Sequence, residues 1–172
     1  MGNMTGNQDR VRFISYASGD VKFDEDGKAA GWTRNIQITD STAFDKLAML
    51  HAFNISIPGI PCIYYGDEIG MPGANDPDNR RMMKFNHLTS REKKLKKTVE
   101  KLLKLRQNSM ALIYGTTTIN TEGEVLIIKR KYFDDTVISI FNKSGKTFNY
   151  NGEKIENGKF LIIGNNKKLE IE

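Results

Sequence analysis

The stretch Gly59-Ile60-Pro61-Cys62-Ile63-Tyr64-Tyr65-Gly66-Asp67-Glu68 decides how this chain is read. Its apolar run predicts a short buried strand over residues 60–65, entering a glycine turn that carries two adjacent carboxylates. A strand of this kind delivers polar groups to the rim of a sheet, where a ligand meets them. Adjacent residues on an extended strand point in opposite directions, so Asp67 and Glu68 are expected to be structural rather than an acid/base pair. The following segment, Asn75-Asp76-Pro77-Asp78-Asn79-Arg80-Arg81, is a turn-rich polar loop with two guanidinium groups.

Elements on either side of this strand set its context. Asp40-Ser41-Thr42 is a helix start, and Phe44, Leu47, Ala48, Leu50, Phe53 and Ile55 keep helical spacing up to Pro58. Residues 1–10 read as a strand end and a polar loop. Residues 66–88 read as one long irregular stretch, the kind that is functional or disordered inside a compact domain. Thr89-Ser90-Arg91-Glu92 fits a capping box that opens a helix running to about residue 107. Beyond Ala111 the composition changes to short β-branched and aromatic runs at 116–120, 125–132, 136–142, 147–150, 160–163 and 169–171. Turn dipeptides such as Glu122-Gly123 and Asn151-Gly152 separate them, which predicts an antiparallel sandwich or small barrel.

The formal charge of +5 on 172 residues is local. Residues 90–108 hold eight basic side chains against Glu92 and Glu100, a surplus larger than the net charge of the whole chain. Leu95, Val99, Leu102 and Leu103 mark an apolar face, so the lysines form the solvated side of an amphipathic helix. That helix carries no aromatic residue to stack on a base, which argues against a nucleic-acid partner. The single Cys62 excludes a disulfide framework, and no segment reaches the ~20 apolar residues of a membrane span. No signal peptide is visible, and nothing assigns a compartment. His51 and His87 lack a second histidine at ligand spacing, and the Asn/Asp-rich loop lacks the alternating register of a calcium loop, so no metal and no cofactor are expected.

Three motifs in order resemble the α-amylase family of glycoside hydrolases. Gly6-Asn7-Gln8-Asp9-Arg10 is similar to the region after barrel strand seven, usually Asn-His-Asp. Ile63-Tyr64-Tyr65-Gly66-Asp67-Glu68 is similar to the region at strand eight. Asp76-Pro77-Asp78-Asn79-Arg80-Arg81 resembles the loop of the neopullulanase, cyclomaltodextrinase and α-glucosidase branch. The resemblance implies an α/β plus all-β fold: the terminal β/α units of a (β/α)8 TIM barrel over residues 1–108, then a small antiparallel β-sandwich over residues 109–172. The chain is shorter than the ~250 residues of a complete barrel.

The implied activity is retaining hydrolysis of α-glucosidic linkages in starch-derived oligosaccharides. This chemistry needs a nucleophile and an acid/base carboxyl group ~5 Å apart across an oxocarbenium-like transition state. Asp9 falls on the family's third carboxylate, the transition-state stabiliser, with Asn7, Gln8, Asp76 and Arg81 as substrate-binding residues. Gln8 stands where the family has histidine; it exchanges hydrogen bonds but cannot become a cation. Arg81 has two readings, a bidentate donor to sugar or a loop-stabilising pair with Asp76 or Asp78. Trp32 is read as a surface-loop anchor or as a stacking surface for a sugar.

The nucleophile and acid/base are expected upstream of Met1, so the chain alone is expected to be inactive. It is also expected to associate with itself or with the missing barrel portion. The alternative from another class is a non-catalytic carbohydrate-binding or structural module of the same family.

Overall fold

The computed structural model describes residues 1–165 and the backbone of Lys167–Lys168. The chain divides into two compact units. One comprises Gly2–Ala48 and Pro61–Lys97; the other comprises Met1, Met49–Ile60 and the stretch from Thr98 onward. Two helices are divided between them: α3 (Ala43–Ser56) after Ala48, and α4 (Ser90–Asn108) after Lys97.

Strand β1 (Gly2–Met4) pairs with β2 (Ile60–Cys62) in a two-stranded sheet. The strand expected over 60–65 stops at Cys62. Tyr64 accepts a hydrogen bond from the Asp67 N–H, and Gly66 takes φ 86°, so the chain turns where continued extension was expected. A Cβ at Gly66 would also press on Met71, so glycine is required there twice over. Asp67 and Glu68 therefore lie on a 3-10 turn, Asp67–Ile69, and not on an extended strand. Within the irregular stretch a second 3-10 turn covers Asp78–Arg80.

Helices α1 (Phe13–Ala17) and α2 (Gly27–Thr33) fall in a segment that the sequence left unassigned. The Asp26 carboxylate caps α2 by accepting from the Lys28 and Ala29 N–H groups. Val11, Val21, Ala30, Ile36 and Ala74 form the first unit's apolar cluster, with Tyr16 against it.

The capping box at the start of α4 forms as the sequence predicts. The Glu92 carboxylate accepts the Thr89 N–H at 2.6 Å, and the Thr89 hydroxyl accepts the Glu92 N–H at 3.3 Å. Lys84 donates to both Glu92 oxygens.

The second unit is built on an antiparallel sheet of order β3-β4-β5-β8-β9, with β3 (Thr116–Glu122), β4 (Val125–Tyr132), β5 (Asp135–Asn142), β8 (Phe160–Gly164) and β9 (Lys167–Lys168). Alternation along the strands sorts their side chains onto two faces. Ile128, Val137, Phe141 and Ile162 pack with Ala52, Ile55 and Leu102 of the helices and with Ala111 and Leu112 of α5 (Met110–Tyr114). Val125, Ile127, Ile140, Leu161 and Ile163 pack instead with Ile155, Phe148 and Tyr150 of the hairpin β6 (Phe148–Tyr150) and β7 (Glu153–Ile155). The run expected at 169–171 lies outside the described residues.

Two arginines close the C-terminus of α3, whose last carbonyls have no partner inside the helix. Arg106 donates to the Ile55, Ile57 and Gly59 carbonyls, and Arg130 donates to those of Ser56 and Gly115. Cations at this end also oppose the helix dipole.

Burial pushes the Glu92 carboxyl up, but the bonds from Lys84 and Thr89 outweigh it and hold the group below its ordinary value of 4.5. A carboxyl depressed in the folded state stabilises above its unfolded pKa and loses that contribution as pH falls through the folded value. Replacing Thr89 with alanine is expected to cost about 1 kcal/mol. The Tm difference between the native chain and Glu92→Gln is expected to narrow on acidification below pH 4.5. Thermal melts over a pH series check both, and a gap that is flat or widens on acidification contradicts the assignment.

Candidate functional site

The loop after β1 and the loop 73–81 meet around a buried cation. Arg12 is fully buried and opposes Asp67 at 2.8 Å. It also donates to the Tyr65 carbonyl at 2.8 Å and twice to the Asn79 carbonyl, at 3.0 and 2.8 Å. Its guanidinium lies over the rings of Tyr64 and Tyr65, at 4.6 and 5.1 Å from their centroids. Four of its five N–H donors are thus used inside the protein. Asp67 completes the centre by accepting the Thr5 hydroxyl at 3.0 Å. Burial pushes the Asp67 carboxyl up, while the Arg12 charge and the bonds from Thr5 and Arg12 pull it down. Gly6 is needed beside this pair, since a Cβ there would lie 2.9 Å from the Asp67 carboxylate.

Asn79, also fully buried, carries the clamp to the next loop. Its side-chain amide donates to the Arg10 carbonyl at 2.7 Å and to the Asn7 carbonyl at 3.3 Å. Those carbonyls bracket Gln8 and Asp9. Neither Arg12 nor Asn79 was singled out from the sequence. The available signal was Arg12 itself, a lone charge inside Val11-Arg12-Phe13-Ile14.

Asp9, by contrast, stands in solvent, with its side chain 70% exposed. The Asn7 side chain accepts the Asp9 N–H at 2.9 Å, and the Gln8 amide donates to the Asp9 carboxylate at 3.1 Å. Arg80 reaches Asp9 at 3.6 Å and Asp76 at 2.8 Å. Asn7, Gln8, Asp9 and Asp76 are therefore brought together, through an arginine that the sequence reading did not assign.

Arg81 takes a different course. Its fork meets both Asp78 oxygens at 2.9 Å, and its remaining terminal nitrogen donates to the Ile36 carbonyl at 2.8 Å. Tyr65 fixes the same residue by donating from its hydroxyl to the Arg81 carbonyl. The loop-stabilising pair foreseen as one reading of Arg81 is present, with Asp78 as the partner. Two guanidinium N–H bonds remain for other acceptors.

Chemically, this is an exposed carboxylate on a rigid base, ringed by amide and guanidinium donors. Such a group accepts hydrogen bonds from hydroxyls. Retaining glycoside hydrolysis needs a separate nucleophile and acid.

The α-amylase catalytic-domain profile matches residues 3–109, and the chain belongs to this family. It is 33% identical to a cyclomaltodextrinase of Thermoanaerobacter pseudethanolicus over 147 residues, which is 85% of this chain and 21% of that protein. It is 30% identical to a maltogenic α-amylase of Bacillus acidopullulyticus over 142 residues, 74% of this chain and 24% of that one. The chain thus spans about a quarter or less of the curated relatives it matches. Among solved structures, the α-amylase of Geobacillus thermoleovorans complexed with acarbose superimposes with a TM-score of 0.63 at 29% identity, covering 86% of this chain and 28% of that one. Its structural neighbours are TIM-barrel enzymes of the same family.

Removing one partner of a buried ion pair strands the other charge. Arg12→Leu is therefore expected to destabilise the unit that holds it by about 3–5 kcal/mol. Arg80→Ala removes only exposed pairs and is expected to cost less than about 1 kcal/mol. Chemical denaturation of the two variants side by side tests the contrast, and equal losses contradict it.

Proposed function

We propose that the chain is the C-terminal portion of a retaining α-amylase-type glycoside hydrolase acting on α-glucosidic linkages in starch-derived oligosaccharides. On this reading residues 1–108 supply the last two β/α units of the barrel. Residues 109–172 form a small antiparallel β-sandwich domain. The observation that carries the proposal is the exposed Asp9 carboxylate, seated by Asn7, Gln8 and Arg80 within the stretch that the family profile covers.

Asp9 is the transition-state stabiliser. It accepts hydroxyls of the sugar more strongly as the ring flattens than in the ground state, which raises turnover rather than affinity alone. Asn7 and Gln8 set its orientation and offer amide groups to the same sugar. Asp76 presents a second acceptor across Arg80, and Arg81 offers its two unused N–H bonds to a neighbouring sugar residue. The nucleophile and the acid/base belong to the upstream barrel portion, which is also this chain's natural partner. Where that portion is absent, the uncovered barrel edge favours self-association.

A non-catalytic carbohydrate-binding module is the second reading, favoured by Gln8 in the family's histidine position.

Pure 172-residue chain is expected to release no reducing sugar from maltotriose or cyclodextrin, because binding groups remain but the reacting ones do not. Joined to its upstream coding sequence it is expected to hydrolyse both, and Asp9→Asn is expected to lower kcat by about 10²–10³-fold. Turnover by the isolated chain would falsify the division of labour. An upstream sequence lacking an Asp after strand four and a Glu after strand five would leave the binding-module reading in place of the enzyme.

A further inference from the structure

We propose that Trp32 is a glucose-stacking platform beside the rim, a subsite for an α-glucan chain that extends past Asp9 and Arg81. The inference rests on the α-glucan reading above and adds a binding residue to it.

Isolated apolar side chains on a surface are ordinary and need no function. Trp32 differs in what lies beneath it. Helix α2 buries a single residue, Ala30, so packing alone gives this seven-residue helix little reason to exist. Yet it is fastened to the rim loop at both Gly27 and Gly31. The Gly27 carbonyl accepts the Asn75 N–H at 3.1 Å. Gly31 packs so closely on Asp78 and Ala74 that a Cβ would lie 2.8 Å from the Asp78 Cβ. Just past the helix, the Ile36 carbonyl accepts Arg81 at 2.8 Å. The residue next to Gly31 is Trp32, which is 71% exposed and belongs to none of the apolar clusters among the described residues.

The fold thus presents a large flat aromatic to water from a helix fastened to the rim loop, one residue from the backbone that packs against the partner of Arg81. A pyranose presents an apolar face of C–H groups and a rim of hydroxyls. The indole suits the face, and the Asp76, Arg80 and Arg81 side chains suit the rim. Tryptophan is also the residue that concentrates binding energy where it is anchored and accessible. The backbone beneath it is already tied to the rim loop, so that part needs no ordering on binding.

Trp32 is the sole tryptophan of the chain, so its emission reports on this ring alone. Titration of the 172-residue chain with maltoheptaose is expected to give a saturable change in emission intensity and wavelength, with cellohexaose giving less. Retention of the chain on immobilised maltoheptaose is expected to weaken about five-fold in Trp32→Ala and to be largely restored in Trp32→Phe, a loss in the range that aromatic stacking supplies. Phe133→Ala, which removes an exposed aromatic from the other unit, is expected to leave retention unchanged. Retention equal in Trp32→Ala and the native chain, with emission unmoved at saturating maltoheptaose, overturns the platform while the glucan reading stands. If no α-glucan is retained by the native chain and none moves its emission, both are overturned.

Discussion

The buried contact between Arg12 and Asp67 is the constraint on which the rest of the first unit depends. Charges without water are costly, and mutual attraction alone does not recover that cost. The protein meets it with geometry. Arg12 is satisfied by one carboxylate, two backbone carbonyls and two aromatic faces. Those partners lie in loops or in isolated 3-10 turns, none of them on a sheet ladder or an α-helix. The pair therefore does for loops 5–12, 64–67 and 73–79 what a hydrogen-bonded ladder does for strands. It gives them one arrangement, because any other leaves a buried charge unpaired.

The second unit solves a different problem by ordinary means. Its strands alternate so regularly that one face of the sheet meets helices and the other meets a hairpin, with apolar side chains on both. Buried polar side chains occur on both faces: on the hairpin side Asn142 donates to the Ile155 carbonyl at 2.8 Å, and the others lie against the helices. Ser139 pairs with Ser56 at 2.7 Å, and Arg130 reaches the Ser56 carbonyl at 3.1 Å. Both bonds converge on one residue at the end of α3, so the polar groups fix where that helix stops above the sheet. Apolar packing alone would let it slide.

What the sequence made legible follows from how local each signal was. The α3 helix, the Thr89 capping box and β4 were read within a residue or two, because caps and periodicity act over a few positions. Arg12 was illegible as a hub because its partners lie 53 to 67 residues away. The same distance explains the shortened strand at 60–65. Apolar residues continue to Tyr65, but the Tyr65 carbonyl goes to Arg12 instead of a neighbouring strand. Helix α2 escaped notice because its two glycines read as loop, and their use became visible only against Asn75 and Asp78. Of the candidate site, Asn7, Gln8 and Asp9 were legible through resemblance. Arg80 was passed over for its neighbour, since two adjacent arginines carry no local sign of which one pairs with Asp78.

Arg12 and Arg80 divide the work by exposure. Arg12 is sealed, and exchanging its partners would mean dismantling the loops. Arg80, about half exposed, holds Asp9 at 3.6 Å in water, where an ion pair contributes about 0–1 kcal/mol. That weakness suits the proposed role of Asp9. A carboxylate that acts by gaining hydrogen bonds late in a reaction must surrender its resting partners at little cost. A tight Arg80–Asp9 pair would stabilise the empty site and subtract that energy from the transition state. A loose pair on a rigid base keeps the carboxylate oriented and available. The rigidity comes from Arg12 and Asn79, and the availability comes from leaving Asp9 in solvent.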